Sequence, residues 1–457
     1  MFGYRATQFR DTGNRFVRAL GNRLSMGVEP VCLLLQGDST GNDNIEWFYQ
    51  TMQWLALKFP AYTFLQRLWS DTHQNYSGAI STIQTGHTGD AYVTVNGTTG
   101  NLSTPDAVAL RIVGDLDVIV KIFADDWACT SAGAILASKF GAAGDRGWAF
   151  GLENGTGKLY LWWSVDGTNL LGGEGSAFRS SIVPTVTNGA ELWLRCTMDV
   201  DNGAAGHTVK FYTSNDGITW TQLGTDCVGV GITSIFASTE VLYVGRRASG
   251  GFLAGKIYKA IIKAGIDGKI IASPDAGMAH PIGTTSIKDA EGNTWTIVGT
   301  TGGGSPCAMI LNSSKPGAAA NYSTDVTRFG LQTPIEPQLS FISYSHNEGT
   351  KIAYQSEYEG LATQILTKYP NAGIVCVTQS PQKTPRTVAE VNAHAVRNRQ
   401  IALVAAKNGY GLVDAFRAFI ETGNPDSYID SDGVHPTLVA DNLWANEAIK
   451  FLFPAVR

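Results

Sequence analysis

The chain reads as an α/β protein with a parallel sheet, split by a large inserted all-β sandwich. Three observations predict this. Apolar strand-like runs alternate with amphipathic helical stretches in residues 29–69 and again after residue 307. Between residues 72 and 306, short strands and Gly, Asn and Asp turns replace that alternation. The first α/β piece holds only about two strands, too few for a stable sheet of its own.

The elements follow in order. Residues 29–40, EPVCLLLQGDST, form an apolar run that ends abruptly at Gly37-Asp38-Ser39, a buried strand followed by a sharp turn. In residues 44–58, Ile45, Phe48, Met52, Leu55 and Ala56 share one helical stripe, and Pro60 supplies the stop. Residues 62–69 read as the next strand. In the middle of the chain, DVIVKIFADDW (117–127), KLYLWWSVDG (158–167), ELWLRCTMDVD (191–201), HTVKFYTSNDG (207–217) and KIYKAIIKAG (256–265) are strand candidates. The DGTN, NDG and IDG clusters suit hairpin turns that need positive φ. After residue 307, strands at 337–345, 372–381 and 410–416 alternate with helices at 358–370, 388–409 and 438–453, which implies right-handed crossovers over a parallel sheet. The simplest organisation joins residues 1–75 and 307–457 into one domain of roughly 220 residues. Residues 76–306 are then the insert.

Composition narrows the function classes. Charged residues are 16 % of the chain, net charge is −5, and no basic block is present to track phosphates, so nucleic acid is not expected as a partner. The six cysteines form no C-x-x-C pair, which gives no support for a zinc or dithiol site. Cys32 and Cys376 lie in apolar runs as buried thiols, and a Cys196–Cys227 bridge is open on spacing alone. The first twenty residues carry no apolar h-region, so no secretory signal is expected. No apolar run approaches the length of a membrane span.

Two short segments carry chemistry. Gly37-Asp38-Ser39 closes the first strand, and ligands of open α/β sheets sit beyond the carboxyl ends of strands. On its own this segment serves equally well as a helix cap. Asp432-Gly433-Val434-His435-Pro436 precedes the last helix. Asp and His three apart on a tight turn let the carboxylate meet one ring nitrogen and leave the other as an acceptor. On its own it too is a plausible turn.

Together, G-D-S near the start and D-G-V-H-P near the end make the chain resemble the SGNH/GDSL hydrolases. Two further blocks of that family can be matched. MILNSSKPGAAANYS (309–323) resembles the second, with Gly317 as a backbone oxyanion donor. Gly78, in NYSGA, is a rival without the strand-then-helix setting. Ser345-His346-Asn347-Glu348 resembles the third, a Gly-x-Asn-Asp in the family, with Ser in place of Gly and Glu in place of Asp. The resemblance implies a three-layer, flavodoxin-like hydrolase domain that performs acyl transfer. It implies Ser39 as nucleophile, His435 as base and Asp432 as its orienting acid. The oxyanion hole is then the N–H groups of Ser39 and Gly317 with the Asn347 amide. No metal or other cofactor is implied.

The insert resembles concanavalin A-like or laminin-G-like jelly rolls through HTVKFYTSNDGITWTQLG (207–224) and residues 241–269. Such domains often bind glycans, and some bind calcium. Asp125, Asp126 and Asp216 are acids at turns, but no ligand set is legible. Adjacent Trp162 and Trp163 must point to opposite faces of a strand, so one of them is a candidate sugar platform. The whole is expected to be a carboxylic ester hydrolase that removes acyl groups, O-acetyl above all, from a surface polysaccharide. The lectin-like insert would hold the glycan, and attachment to a virion, such as a phage tail, would suit a protein without a leader. The alternatives are a glycan-binding adhesin on an inactive hydrolase scaffold, or a lipid esterase.

Overall fold

The structure, a computed structural model, describes residues 12–453 apart from 79, 87, 88, 281 and 282. Most of the N-terminal segment read for a secretory signal, residues 1–11, lies outside the described residues. The chain forms two compact units, one from residues 1–87 and 305–457, the other from residues 88–304.

The first unit is built on seven strands. We label them β1 (Val31–Gly37), β2 (Thr63–Leu68), β3 (Ile80–Gln84), β4 (Cys307–Asn312), β5 (Leu339–Ser343), β6 (Gly373–Thr378) and β7 (Gly411–Asp414). Their order across the sheet is β7-β6-β5-β1-β4-β2-β3. All neighbours are parallel except β3, which runs antiparallel to β2. The sequence reading gave residues 76–86 to the insert. Pairing of Arg67 with Ile80 and of Leu65 with Thr82 places this hairpin in the first unit instead. Its weak alternation and half-buried side chains hid it as an edge strand.

Helices cover both faces. On one side lie α1 (Thr12–Met26), α2 (Trp47–Lys58), α7 (Ala415–Glu421) and α8 (Leu438–Leu452), whose Leu20, Trp47, Phe419 and Trp444 pack on Leu33, Leu35, Phe341 and Val375. On the other lie α3 (Ala320–Thr324), α4 (Val326–Gln332), α5 (Gln355–Lys368) and α6 (Val388–Asn408), with Phe329, Tyr358, Ile365 and Ile401 against Ile342, Ile374 and Cys376. Strand β1 is buried along its whole length because its alternate residues serve these two layers. Helix α6 starts at a capping box, Thr387 with Glu390, and ends where Gly409 adopts φ 67°. Helix α1 was not anticipated, although Val17, Leu20 and Leu24 show helical spacing and are buried.

The strand order has a consequence for function. Setting aside β2 and β3, the remaining strands in chain order are β1, β4, β5, β6 and β7, arranged 2-1-3-4-5. The chain leaves β1 towards neighbours on both sides, so a topological switch point lies at its carboxyl end, where ligands bind in doubly wound sheets. That end is Gly37, two residues before Ser39.

The second unit pairs an eight-stranded with a nine-stranded sheet. Their inner faces share one core, including Trp148, Trp163, Phe211 and Trp295. Hairpins close through short acidic turns. Asp216 accepts from the N–H groups of Ile218 (2.8 Å) and Thr219 (2.7 Å), and Gly217 takes φ 73°. Asp166 does the same for Thr168 and Asn169. All six cysteines are free, so the bridge left open between Cys196 and Cys227 is absent. Among the described residues no helix is long and apolar enough to cross a membrane.

Helices α2 and α8 carry a built-in acid pair. Asp441 is buried and accepts the Trp47 N–H at the start of α2. Burial raises its carboxyl to about 7, with the Trp47 N–H opposing and Asp430 adding repulsion. Burial likewise raises Glu46 to about 8, helped by the charge of Asp441. Both values lie above the unfolded range, so their contribution to stability is complete only below about pH 4 and is lost as pH rises from there through about 7 to 8. Thermal unfolding should therefore show a Tm that falls between about pH 5 and pH 8, and Glu46→Gln with Asp441→Asn should flatten that fall.

Candidate active site

Ser39 sits two residues past Gly37, the last residue of β1, on the turn between β1 and α2. Asp38 shapes this turn. Its carboxylate accepts the Thr40 N–H (3.1 Å), the Thr40 hydroxyl (2.8 Å) and the Gln379 amide (2.9 Å), while its carbonyl accepts the Gly41 N–H. Burial raises the Asp38 carboxyl, and those hydrogen bonds oppose the rise. Asp38 is thus spent on the backbone of the turn that presents Ser39. Gly37 allows the turn to pass close to its neighbours, because a Cβ there would lie 2.9 Å from Ser314 Oγ and 3.0 Å from the Ser343 carbonyl.

His435 arrives on the tight loop before α8. The Asp430 N–H donates to the His435 carbonyl at 2.7 Å, and Gly433 turns with φ 77°. A Cβ on Gly433 would meet the Lys383 carbonyl at 2.4 Å, so only glycine fits. One Asp432 carboxylate oxygen accepts the N–H groups of Val434 (2.9 Å) and His435 (3.0 Å). The other faces His435 Nδ1 in a short contact. His435 Nε2 lies 2.7 Å from Ser39 Oγ. With the Nδ1 proton held by Asp432, Nε2 is left as the acceptor of the serine proton. Burial raises the Asp432 carboxyl, but the His435 ring and the two N–H groups outweigh it and hold it below its ordinary value. Asp432 is therefore ionised throughout the neutral range.

The loop after β4 lies against the same sheet edge. Lys315 N–H donates to the Gly37 carbonyl at 2.9 Å, and Ser313 N–H and Oγ both reach the Leu35 carbonyl. Gly317 follows with φ 74° and opens towards α3. Asn347 lies in a short 3-10 turn after β5, and its Nδ2 donates to the Ala318 carbonyl at 3.1 Å. An amide carries two N–H donors, so one remains. The Ser39 and Gly317 N–H groups have no acceptor among the described residues. Gly78, the rival glycine, has its N–H engaged by the Leu68 carbonyl beside β3.

Several residues that support the site were missed. Gln379, at the end of β6, donates to Asp38, Thr40 and the Ser343 carbonyl, and its Oε1 accepts the His346 N–H at 2.7 Å. It thereby ties the turn of Ser39 to the turn of Asn347. His346 is buried and stacks on His394 with centroids 4.4 Å apart. Burial lowers both imidazoles, and their mutual repulsion lowers His346 further, so His346 is neutral. Gln379 stands in a strand-end run, TQSP, with no local pattern to mark it.

In the second unit Trp163 lies in the core, with its Nε1 on Thr233 and its ring edge-on to Phe178. Of the two tryptophans expected on opposite faces, Trp163 is thus the one turned inward and is removed as a platform candidate. Trp162 is half-buried on the opposite face, packed on Phe140 and beneath Arg247. The turn acids are used by their own turns: Asp126 accepts from Ala128 and Thr130, and Asp216 from Ile218 and Thr219.

No family model matches the chain, and no curated protein does either. Similar solved structures do exist. A lipase/acylhydrolase from Enterococcus faecalis is 16 % identical over 33 % of this chain and 78 % of that one, with a TM-score of 0.29. An acetylxylan esterase from Geobacillus stearothermophilus is 18 % identical over 32 % of this chain and 73 % of that one, with a TM-score of 0.27. A peptidoglycan O-acetylesterase is 12 % identical over 97 % of this chain and 96 % of that one, with a TM-score of 0.37. Likenesses this distant carry no weight for function, which rests on the residues themselves.

Gln379→Ala should strip a hydrogen bond from the buried Asp38 carboxylate and cost about 1–3 kcal/mol of stability. Chemical denaturation at neutral pH checks this through a lowered midpoint with an unchanged slope.

Proposed function

We propose that this protein is a serine esterase of the SGNH/GDSL type that works through Ser39, His435 and Asp432. The observation that carries the reading is the 2.7 Å approach of His435 Nε2 to Ser39 Oγ, with Asp432 on the other ring nitrogen. Nucleophile, base and orienting acid within hydrogen-bond reach is the arrangement that acyl transfer needs.

The reaction proceeds in two halves. Ser39 Oγ attacks the ester carbonyl as its proton passes to His435 Nε2, and Asp432 stabilises the imidazolium. The carbonyl oxygen becomes an oxyanion held by the N–H groups of Ser39 and Gly317 and by the free Asn347 N–H. Collapse expels the alcohol, which takes the proton from His435. Water then attacks the acyl-serine with His435 again as base, and the acid leaves.

The substrate we propose is an acyl ester, acetyl foremost, on a polysaccharide. Ser39 is reachable from solvent, and His435 and Asp432 are two-fifths to one-half exposed, which suits an ester on a polymer chain better than a buried acyl tail. The second unit would hold the glycan, with Trp162 offering its half-exposed face beside Arg247.

Acetate release from O-acetylated polysaccharides tests the reading. Ser39→Ala should fall to background, Asp432→Asn should lose roughly ten-thousandfold in kcat, and Asn347→Ala about 100- to 1000-fold. Turnover of long-chain lipid esters without acetate release would replace the substrate class. Hydrolysis unchanged in Ser39→Ala would remove the enzyme assignment.

A further inference from the structure

The turn that carries Asn347 departs from the pattern of the family it resembles, and the structure shows what occupies the altered positions. Ser345 stands where glycine is usual, and its hydroxyl lies 3.1 Å from His394 Nδ1. Its carbonyl accepts Arg397 Nε at 3.0 Å. Arg397 projects from α6, is fully buried, and sends Nη1 to the carbonyls of Gly349 (2.9 Å) and Lys351 (2.6 Å). Glu348 stands where aspartate is usual. The longer side chain reaches the Ala320 N–H at the start of α3, 3.0 Å away.

A buried guanidinium is a costly way to pin a loop. Its charge is desolvated, no carboxylate lies within ion-pair distance among the described residues, and Nη2 has no partner. What it supplies in return is geometry. A rigid planar fork fixes three carbonyls at positions 345, 349 and 351 relative to one another. Asn347 lies between the first two. A donor for a developing oxyanion must be held within about 0.5 Å of its productive place.

We propose that Arg397 and Glu348 are positioning residues that set the Asn347 amide for the oxyanion, Arg397 from α6 and Glu348 through α3. This rests on the esterase reading of the same site. The clamp replaces the compactness that a glycine and an aspartate would give the turn. Both side chains are buried and spent on backbone groups, so each acts through the placement of Asn347 and not by contact.

Double-mutant cycles on p-nitrophenyl acetate hydrolysis separate this role from a general structural one. The variants are Arg397→Gln and Glu348→Ala, each in the wild-type and Asn347→Ala backgrounds. In the wild type each should lower kcat about 10- to 100-fold, as a misplaced group does, and leave KM nearly unchanged. Arg397→Lys, which keeps the charge without the fork, should recover only part of the Arg397→Gln loss. In Asn347→Ala each should cost less than about twofold, because the group they position is gone. Equal losses in both backgrounds, or no loss in the wild type, would overturn the proposal. Should Arg397→Gln fail to fold, the Glu348→Ala cycle decides alone. An inactive wild type would instead remove the esterase reading, and the proposal with it.

Discussion

Ser39 and His435 are joined by one 2.7 Å hydrogen bond across 396 residues of chain, and neither side chain is held there by anything local to both. Their meeting depends on how the sheet is wound. Strand β1 lies between β4 and β5, so its carboxyl end opens at the switch point of the sheet. The helices that follow the two loops then pack together. Trp47 at the start of α2 stacks on Trp444 of α8 at 5.2 Å and 2°, and Asp441 caps the α2 N-terminus from α8. Both side chains are thus set by the burial of two indole rings, each fully excluded from water. Apolar packing of this kind is non-directional in origin yet close-fitting in result, which is what a serine–imidazole pair requires.

Around that pair the polar groups form tiers. Asp432 acts on His435 directly, and Asp38 acts on the backbone that presents Ser39. Gln379 links the Asp38 turn to the Asn347 turn through one side chain. Asp38 and Gln379 are buried, whereas Asp432 stands at the surface with His435, and buried polar groups are worth most when they are fully paired. The neutral, stacked His346 and His394 fit the same logic, since burial without a counter-charge favours the uncharged imidazole.

Much of this was legible in the chain. The apolar run into Gly37-Asp38-Ser39 and the D-G-V-H-P segment mark the two loop ends, because strand burial and turn chemistry are both local. Helices α2, α5, α6 and α8 were placed within three residues at each end for the same reason. What escaped was non-local or weakly patterned. Gln379, Arg397 and Asp441 owe their roles to partners on other elements, and no spacing in the sequence reveals them. Strand β3 lacks alternation because an edge strand need not bury a face. Helix α1 was overlooked although Val17, Leu20 and Leu24 were there to be counted. In the second unit the tryptophan pair could be assigned to two faces but not to inside and outside, which only the packing of Trp163 against Phe178 decides.

Covalent labelling asks whether His435 activates Ser39. A fluorophosphonate reacts with a serine only when a neighbouring base has raised its nucleophilicity. Intact mass measurement should show one adduct per chain, mapped by peptide analysis to Ser39, with the labelling rate falling to background in His435→Ala. No adduct, an adduct on another serine, or a rate indifferent to His435 would contradict the account.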